Sequence, residues 1–137
     1  MPFLEVTQDA GRKFFSQNLQ GPVVMLNLLR FREVADCSAS PTLEPAAPVS
    51  GAASYQLYID HTLPFLREAG GDLVFYGQGV TWLIGPGDER WDIAMLVRHA
   101  SVSAFLAFAT DERYLGGAGH RLAAIADPRL LPLIQEA

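Results

Sequence analysis

The stretch Gly21-Pro22-Val23-Val24-Met25-Leu26-Asn27-Leu28-Leu29-Arg30-Phe31 places one amide side chain inside an otherwise apolar run. Opened by Gly-Pro and too short for a typical buried helix, the run reads as a strand covered on both faces. A buried amide left unpaired costs roughly 1–3 kcal/mol, so Asn27 either completes a local hydrogen-bond network or addresses a ligand. Alternation puts Met25, Asn27, Leu29 and Phe31 on one face and Val24, Leu26 and Leu28 on the other.

Upstream of this strand, Thr7 can cap a leading helix over about residues 7–19, with Asp9 in its first turn. Downstream, residues 32–50 lack clear periodicity and pass through Cys37-Ser38-Ala39-Ser40-Pro41 and Pro45-Ala46-Ala47-Pro48. A loop of that length in a compact domain is either flexible or functional. From Ala52 to Ala69, Tyr55, Ile59, Leu63 and Leu66 recur at helical spacing, with Gly70-Gly71 as the stop. Asp72 to Ile84 reads as a strand interrupted by Gly77-Gln78-Gly79, a bulge or a close backbone contact. After the turn Gly85-Pro86-Gly87-Asp88, Trp91 to His99 is a second run apolar on both faces. Ser101 can cap a helix through Phe108, and Thr110 or Asp111 a segment to about Ala126. Gly116, Gly117 and Gly119 weaken that last segment, predicting an irregular stretch or the close approach of another group. Asp127 to Ile134 contains Pro128 and Pro132, which confine it to a sheet edge.

The resulting order, strand-helix-strand-strand-helix-strand, is the βαββαβ pattern of an α+β, ferredoxin-like fold with an antiparallel four-stranded sheet. Right-handed crossovers put both helices on one face and the first and third strands in the middle. The whole chain is expected to form one such domain. Helices on one face leave the other open, and central strands apolar on both sides would then expose a patch larger than a monomer normally carries. A second copy packed sheet to sheet is the simplest cover, so a homodimer is expected. The aliphatic Val24, Leu26 and Leu28 face is expected to meet the helices. Asn27 would then point toward the dimer cavity, where an amide can hold a carbonyl or enolate oxygen.

Half of the 137 residues are hydrophobic, which fits a folded globular chain, and the formal charge is −5. Without a cluster of Lys and Arg, nucleic acid is not an expected partner. No apolar run approaches the ~20 residues needed to span a bilayer, and Met1-Pro2-Phe3-Leu4-Glu5 does not read as a signal segment, so no membrane partner and a cytoplasmic location are expected. Cys37 is the single cysteine. It can form neither an internal disulfide nor a cysteine metal cluster, and it reads as a bystander rather than a nucleophile.

The Gly21–Phe31 strand, Ser50-Gly51 with Tyr55 and Tyr58, Gly70-Gly71 and Glu89-Arg90-Trp91-Asp92 together resemble the domain-of-unknown-function family 1330, within the dimeric α+β barrel superfamily. The resemblance runs from Gly21 to Arg129, with Met25 to Phe31 its most specific part. It implies a homodimer with a ligand-sized cavity. It implies no single activity, since the wider superfamily includes cofactor-free monooxygenases, isomerases of small lactones, haem enzymes and proteins without a known reaction. The glycines at 116–119 depart from the helix-favouring sequence expected there.

Three groups of side chains are candidates for chemistry. Asn27 is a ligand-binding candidate or an internally satisfied amide. Tyr58 and His61, at i and i+3 on the first long helix, are a candidate catalytic acid/base pair; the alternative is core packing for Tyr55 and a solvated edge for His61, since an amphipathic helix already explains the spacing. Tyr114 and Arg121, about two helical turns apart, can bind a ligand together, the guanidinium fork gripping a planar anion, or Arg121 can serve a salt bridge. Trp82 and Trp91 read as core or interface area. His61, His99 and His120 lack metal-ligand spacing, Gly77-Gln78-Gly79 is no dinucleotide fingerprint, and no nucleophile elbow occurs, so neither metal nor cofactor is expected. The expected function is binding of a small organic ligand, extending to cofactor-free isomerisation or oxygenation. The alternative is a non-catalytic structural or interaction protein whose apolar sheet face only makes a dimer.

Overall fold

A computed structural model describes residues 5–136 of the chain. Thr7 caps the first helix, α1 (Gln8–Ser16), its hydroxyl accepting from the Ala10 amide at 3.1 Å. The helix is shorter than expected because Asn18 adopts a left-handed backbone conformation with φ 55°, which Asn tolerates better than most residues. The strand β1 (Val23–Phe31) follows, and then a connection that contains a 3-10 turn at Pro41–Leu43. Helix α2 (Gly51–Glu68) is capped by Ser50, which accepts from the Ala53 amide at 3.0 Å. The strands β2 (Asp72–Gln78) and β3 (Ile93–His99) lead to three short helices, α3 (Val102–Ala109), α4 (Glu112–Leu115) and α5 (Ala118–Ala124), and to β4 (Ile125–Leu133). Ser101 and Asp111 cap α3 and α4 as expected, and the predicted second segment is split at Gly116 and Gly117.

The four strands pair antiparallel in the order β2-β3-β1-β4, a ferredoxin-like sheet with β1 and β3 central. No helix among the described residues is long and apolar enough to cross a membrane.

Burial reverses the expected facing of β1. Val23, Met25, Asn27 and Leu29 are buried, whereas Val24, Leu26 and Leu28 are only partly so. Leu29 packs in one cluster with Tyr55, Tyr58 and Ile59 of α2, so the Asn27 face meets the helices and the aliphatic face looks away. The Asn27 amide is tolerated there because it donates to the Met25 carbonyl of its own strand at 3.2 Å. On the helix-free face, Phe75, Leu96, Leu26 and Leu131 fall in register across all four strands, and both end residues are 56% exposed.

Two further expectations change. Val80 to Ile84 is not a strand: the Gly79 amide donates to the Asp92 carbonyl at 2.9 Å, and the chain then leaves the sheet with Leu83 99% exposed. The close contact at Gly79 is real, since a Cβ there would strike the Trp91 carbonyl. The bulge lies earlier, where the register slips between Leu73 and Phe75. The third strand starts at Ile93 rather than Trp91, although the Asp92 amide still reaches the Leu29 carbonyl at 2.8 Å. The 32–50 connection is tied at its base by a Val34–Ser50 bridge and by the Asp36 amide on the Ala123 carbonyl at 2.9 Å.

Candidate functional site

A single row of the sheet supplies the floor of the site. Asn27 pairs with Met95, and Met95 with Tyr76, so these three side chains share the helix-facing side of β1, β3 and β2. Above the row, α2 directs Tyr55 and Tyr58 inward at i and i+3, with 1% and 8% of their surfaces exposed. The Tyr55 ring lies 5.3 Å from Phe31 and 5.2 Å from Tyr58. From the side, α4 brings Tyr114, whose hydroxyl meets that of Tyr58 at 2.9 Å and whose ring lies 4.5 Å from Phe108. Thr62, one turn beyond Tyr58 on the same face of α2, is buried with a hydroxyl that has no hydrogen-bond partner among the described residues.

The electrostatics follow from burial. Desolvation raises the Tyr55 and Tyr58 pKa values well above the ordinary tyrosine range, the neighbouring phenols add to it, and the Arg121 charge opposes it. Desolvation also raises Tyr76. Tyr58 is therefore a neutral phenol at physiological pH, suited to donating a hydrogen bond rather than to accepting a proton. Arg121, on α5, makes no salt bridge among the described residues, although its field reaches both Tyr55 and Tyr58.

Of the five sequence candidates, the structure joins Tyr58 and Tyr114 directly, and the Arg121 charge acts on Tyr58, whereas Asn27 lies on the helix-facing side of β1, bonded to its own strand. His61 is turned elsewhere: its Nε2 lies 2.7 Å from the Arg113 carbonyl oxygen, which can only accept. Nε2 must carry the hydrogen, so the imidazole latches α2 to α4 instead of pairing with Tyr58. Arg113 reinforces the latch through Glu68 at 2.9 Å and Asp111 at 2.8 Å. The Gly117 position explains the broken helix, because a Cβ there would run into the His61 ring. His120 lies on the same flank, its pKa lowered by burial and then by His61, while its carbonyl accepts from the Ser54 hydroxyl at 3.0 Å.

Sequence reading missed Tyr76, which looks like an ordinary edge-strand residue until the register places it in the Asn27 row. No local sequence signal marks it: three of the four tyrosines, Tyr55, Tyr58 and Tyr114, are in ring contact, and Tyr76 joins them only through the register of β2. Two surface clefts of about 270 and 380 Å3 lie apart from it, one within the 34–49 loop and one between the α1–β1 connection and α3. In the protomer, the tyrosine cluster is closed over by the glycine-broken α4–α5 segment.

No family model matches the chain, and no curated protein matches it. Among solved structures, the chain is similar over 99% of its length to 96% of a methylated RPA0582 protein, at 32% identity and a TM-score of 0.88. A second structure of RPA0582, described as a protein of unknown function from Rhodopseudomonas palustris, gives 31% identity and a TM-score of 0.86, covering 100% of this chain and 99% of that one. A dimeric protein of unknown function and ferredoxin-like fold from Bacteroides fragilis shares the fold at 13% identity and a TM-score of 0.52, over 83% of this chain and 96% of its own. A dimeric ferredoxin-like protein of unknown function from Thermobifida fusca does so at 14% identity and a TM-score of 0.51, over 84% and 92%. The extent and identity of the first two matches establish that the chain belongs to the family of the Rhodopseudomonas palustris RPA0582 protein.

Proposed function

We propose that the protein is a homodimer that binds a small organic molecule between its sheet and the α4–α5 segment. The observation that carries this reading is the part-buried Tyr58–Tyr114 hydroxyl pair, 2.9 Å apart, on which the charge of Arg121 acts, a guanidinium with no salt bridge among the described residues. A core built only for stability gains little from such groups, since phenols, an amide and an unpartnered Thr62 hydroxyl all carry a desolvation cost. Together they make a donor-rich surface of the kind that stabilises oxyanion charge on a carbonyl or enolate. Any isomerisation or oxygenation here would use the neutral Tyr58 phenol as a hydrogen-bond donor to developing oxyanion charge, with Asn27, Tyr114 and Arg121 holding the substrate.

The dimer is supported by the apolar Phe75–Leu96–Leu26–Leu131 row on the helix-free face and by the dimeric state described for two proteins of the same fold. Likeness of the Gly21–Phe31 strand and the Tyr55/Tyr58 helix to domain-of-unknown-function family 1330 supports the same reading.

A fragment screen by saturation-transfer NMR tests the site. Fragments that bind the wild type and lose binding in Tyr58→Phe, Tyr114→Phe and Asn27→Ala variants that stay folded and dimeric would support it. Fragment binding that none of these changes affects, or no fragment binding at all, would favour the rival reading of a protein whose sheet face serves only to dimerise.

A further inference from the structure

We infer that the tip of the β2–β3 hairpin, Val80 to Ile84, docks on a second copy of this chain, seating Leu83 and Ile84 on the apolar corner that Leu131, Leu133 and Ile134 form at the far end of that copy's β4. The inference rests on the homodimer proposed above and adds to it a contact outside the sheet face.

The tip is held in shape by its own bonds. The Gly79 amide closes the base on the Asp92 carbonyl, Trp82 Nε1 donates to the Glu89 carbonyl at 2.7 Å, and the Glu89 amide donates to the Pro86 carbonyl at 3.3 Å. Gly85 lies against the Trp82 indole, where a Cβ would fall 2.6 Å from the ring. With Trp82 folded back on the loop, Val80, Leu83 and Ile84 stand outward, each at least 87% exposed. Three aliphatic side chains presented together on a braced loop mark a surface that is covered in the assembled molecule.

A second copy needs the area. With seven residues of β1 paired to β3 in a four-stranded sheet, strands ~4.8 Å apart and ~3.3 Å per residue give a face of about 450 Å2. A standard interface buries about 800 Å2 per partner, so the sheet alone falls short. Three aliphatic side chains with on the order of 100 Å2 of apolar surface each supply most of the difference.

The landing place follows from the four corners of the helix-free face. The hairpin itself leaves from the corner where β2 ends. At the start of β4 the corner is charged, Asp127 being shared by Arg30 at 2.9 Å and Arg129 at 2.6 Å. At the start of β2, Asp72 lies opposite Arg98. The end of β4 is apolar: Leu131 lies beside Leu26 and Leu133 beside Val24, and Leu131 and Ile134 are more than half exposed. That corner is diagonally across the sheet from the hairpin. Two sheets stacked face to face about a two-fold axis, their strands crossing at near right angles, bring each hairpin over the apolar corner of the other copy.

Cross-linking and sedimentation equilibrium test the contact. In a Cys37→Ser background, a short bismaleimide should join the Leu83→Cys/Leu131→Cys double variant into covalent dimers and should join neither single variant. Replacing Val80, Leu83 and Ile84 together by serine, at positions exposed in the protomer, should weaken dimerisation by about tenfold or more while the circular dichroism stays that of the folded protein. A cross-link in Leu83→Cys alone would set hairpin against hairpin and overturn the assignment, as would no cross-link in the double variant. A dimerisation constant unchanged by the three serines would also overturn it, leaving the tip to another protein or a lipid surface. If Leu26→Arg still yields a monomer in that case, the sheet-face dimer stands and only the hairpin contact falls; a wild-type monomer overturns both.

Discussion

The hydroxyls of Tyr58 and Tyr114 meet at 2.9 Å with their rings edge-on at 6.1 Å, joining the long helix to the short segment that closes over it. Because Tyr58 is 8% exposed, neither water nor another described side chain readily replaces this contact. Removing one hydroxyl should cost about 0.5–1.5 kcal/mol in urea unfolding, the net value of a typical hydrogen bond. Tyr58→Phe and Tyr114→Phe should then be strongly non-additive, the double variant being little worse than either single one. Simple additivity would show that the two hydroxyls do not interact in solution.

His99 provides a pH test of the core. Its ring is 3% exposed, packed 5.0 Å from Phe105 and 5.7 Å from Phe108, and burial lowers its pKa from 6.5 to about 4. Between these values the unfolded chain binds a proton that the folded chain does not, so stability should fall as pH drops from 6.5 toward 4 and level off below that. Because the site can relax and admit water when the ring is protonated, the loss should be roughly 1–2 kcal/mol, less than the full shift would give. Urea midpoints measured across this range should show it, and His99→Phe should remove its share of the slope.

Gly117→Ala should release the segment that covers the site. The added methyl would collide with the His61 ring and force it from the Arg113 carbonyl. We expect a loss of about 1–3 kcal/mol from the strain and the broken latch, with faster amide exchange across α4 and α5. Gly51→Ala should be worse, because its methyl would meet the Arg32 and Ala124 carbonyls, which are backbone and cannot swing aside. Equal stability of the two variants to wild type by thermal melting would contradict these contacts.

The helix-free face can be tested without disturbing the core. Leu26 lies mid-row between Leu96 and Leu131 and is only partly buried. Leu26→Arg should convert a dimer to a folded monomer in sedimentation velocity, since a charge facing its own copy across a two-fold axis is repelled and desolvated. An unchanged dimer would place the interface elsewhere.

The fold was largely legible because its signals are local or periodic. Continuous apolar runs marked β1 and β3 as central, prolines marked β4 as an edge, and Thr7, Ser101 and Asp111 announce helix starts that the structure contains. The facing of β1 was not legible, since both its faces are apolar enough to be buried and one amide tipped the choice the wrong way. Val80 to Ile84 has strand composition without a strand to pair with, and composition cannot report a missing partner. The candidate site was half legible: Asn27, Tyr58, Tyr114 and Arg121 were visible by residue type. The role of His61 depended on which carbonyl its ring meets, and that of Tyr76 on the register of an edge strand.

Native mass spectrometry of the freshly purified protein, beside Tyr58→Phe and Arg121→Gln, tests most directly whether a dimer holds a small molecule at the tyrosine cluster. We predict a dimer carrying a discrete added mass in the wild type, reduced or absent in both variants. A bare monomer at high concentration, or an added mass retained equally in all three proteins, would contradict the account.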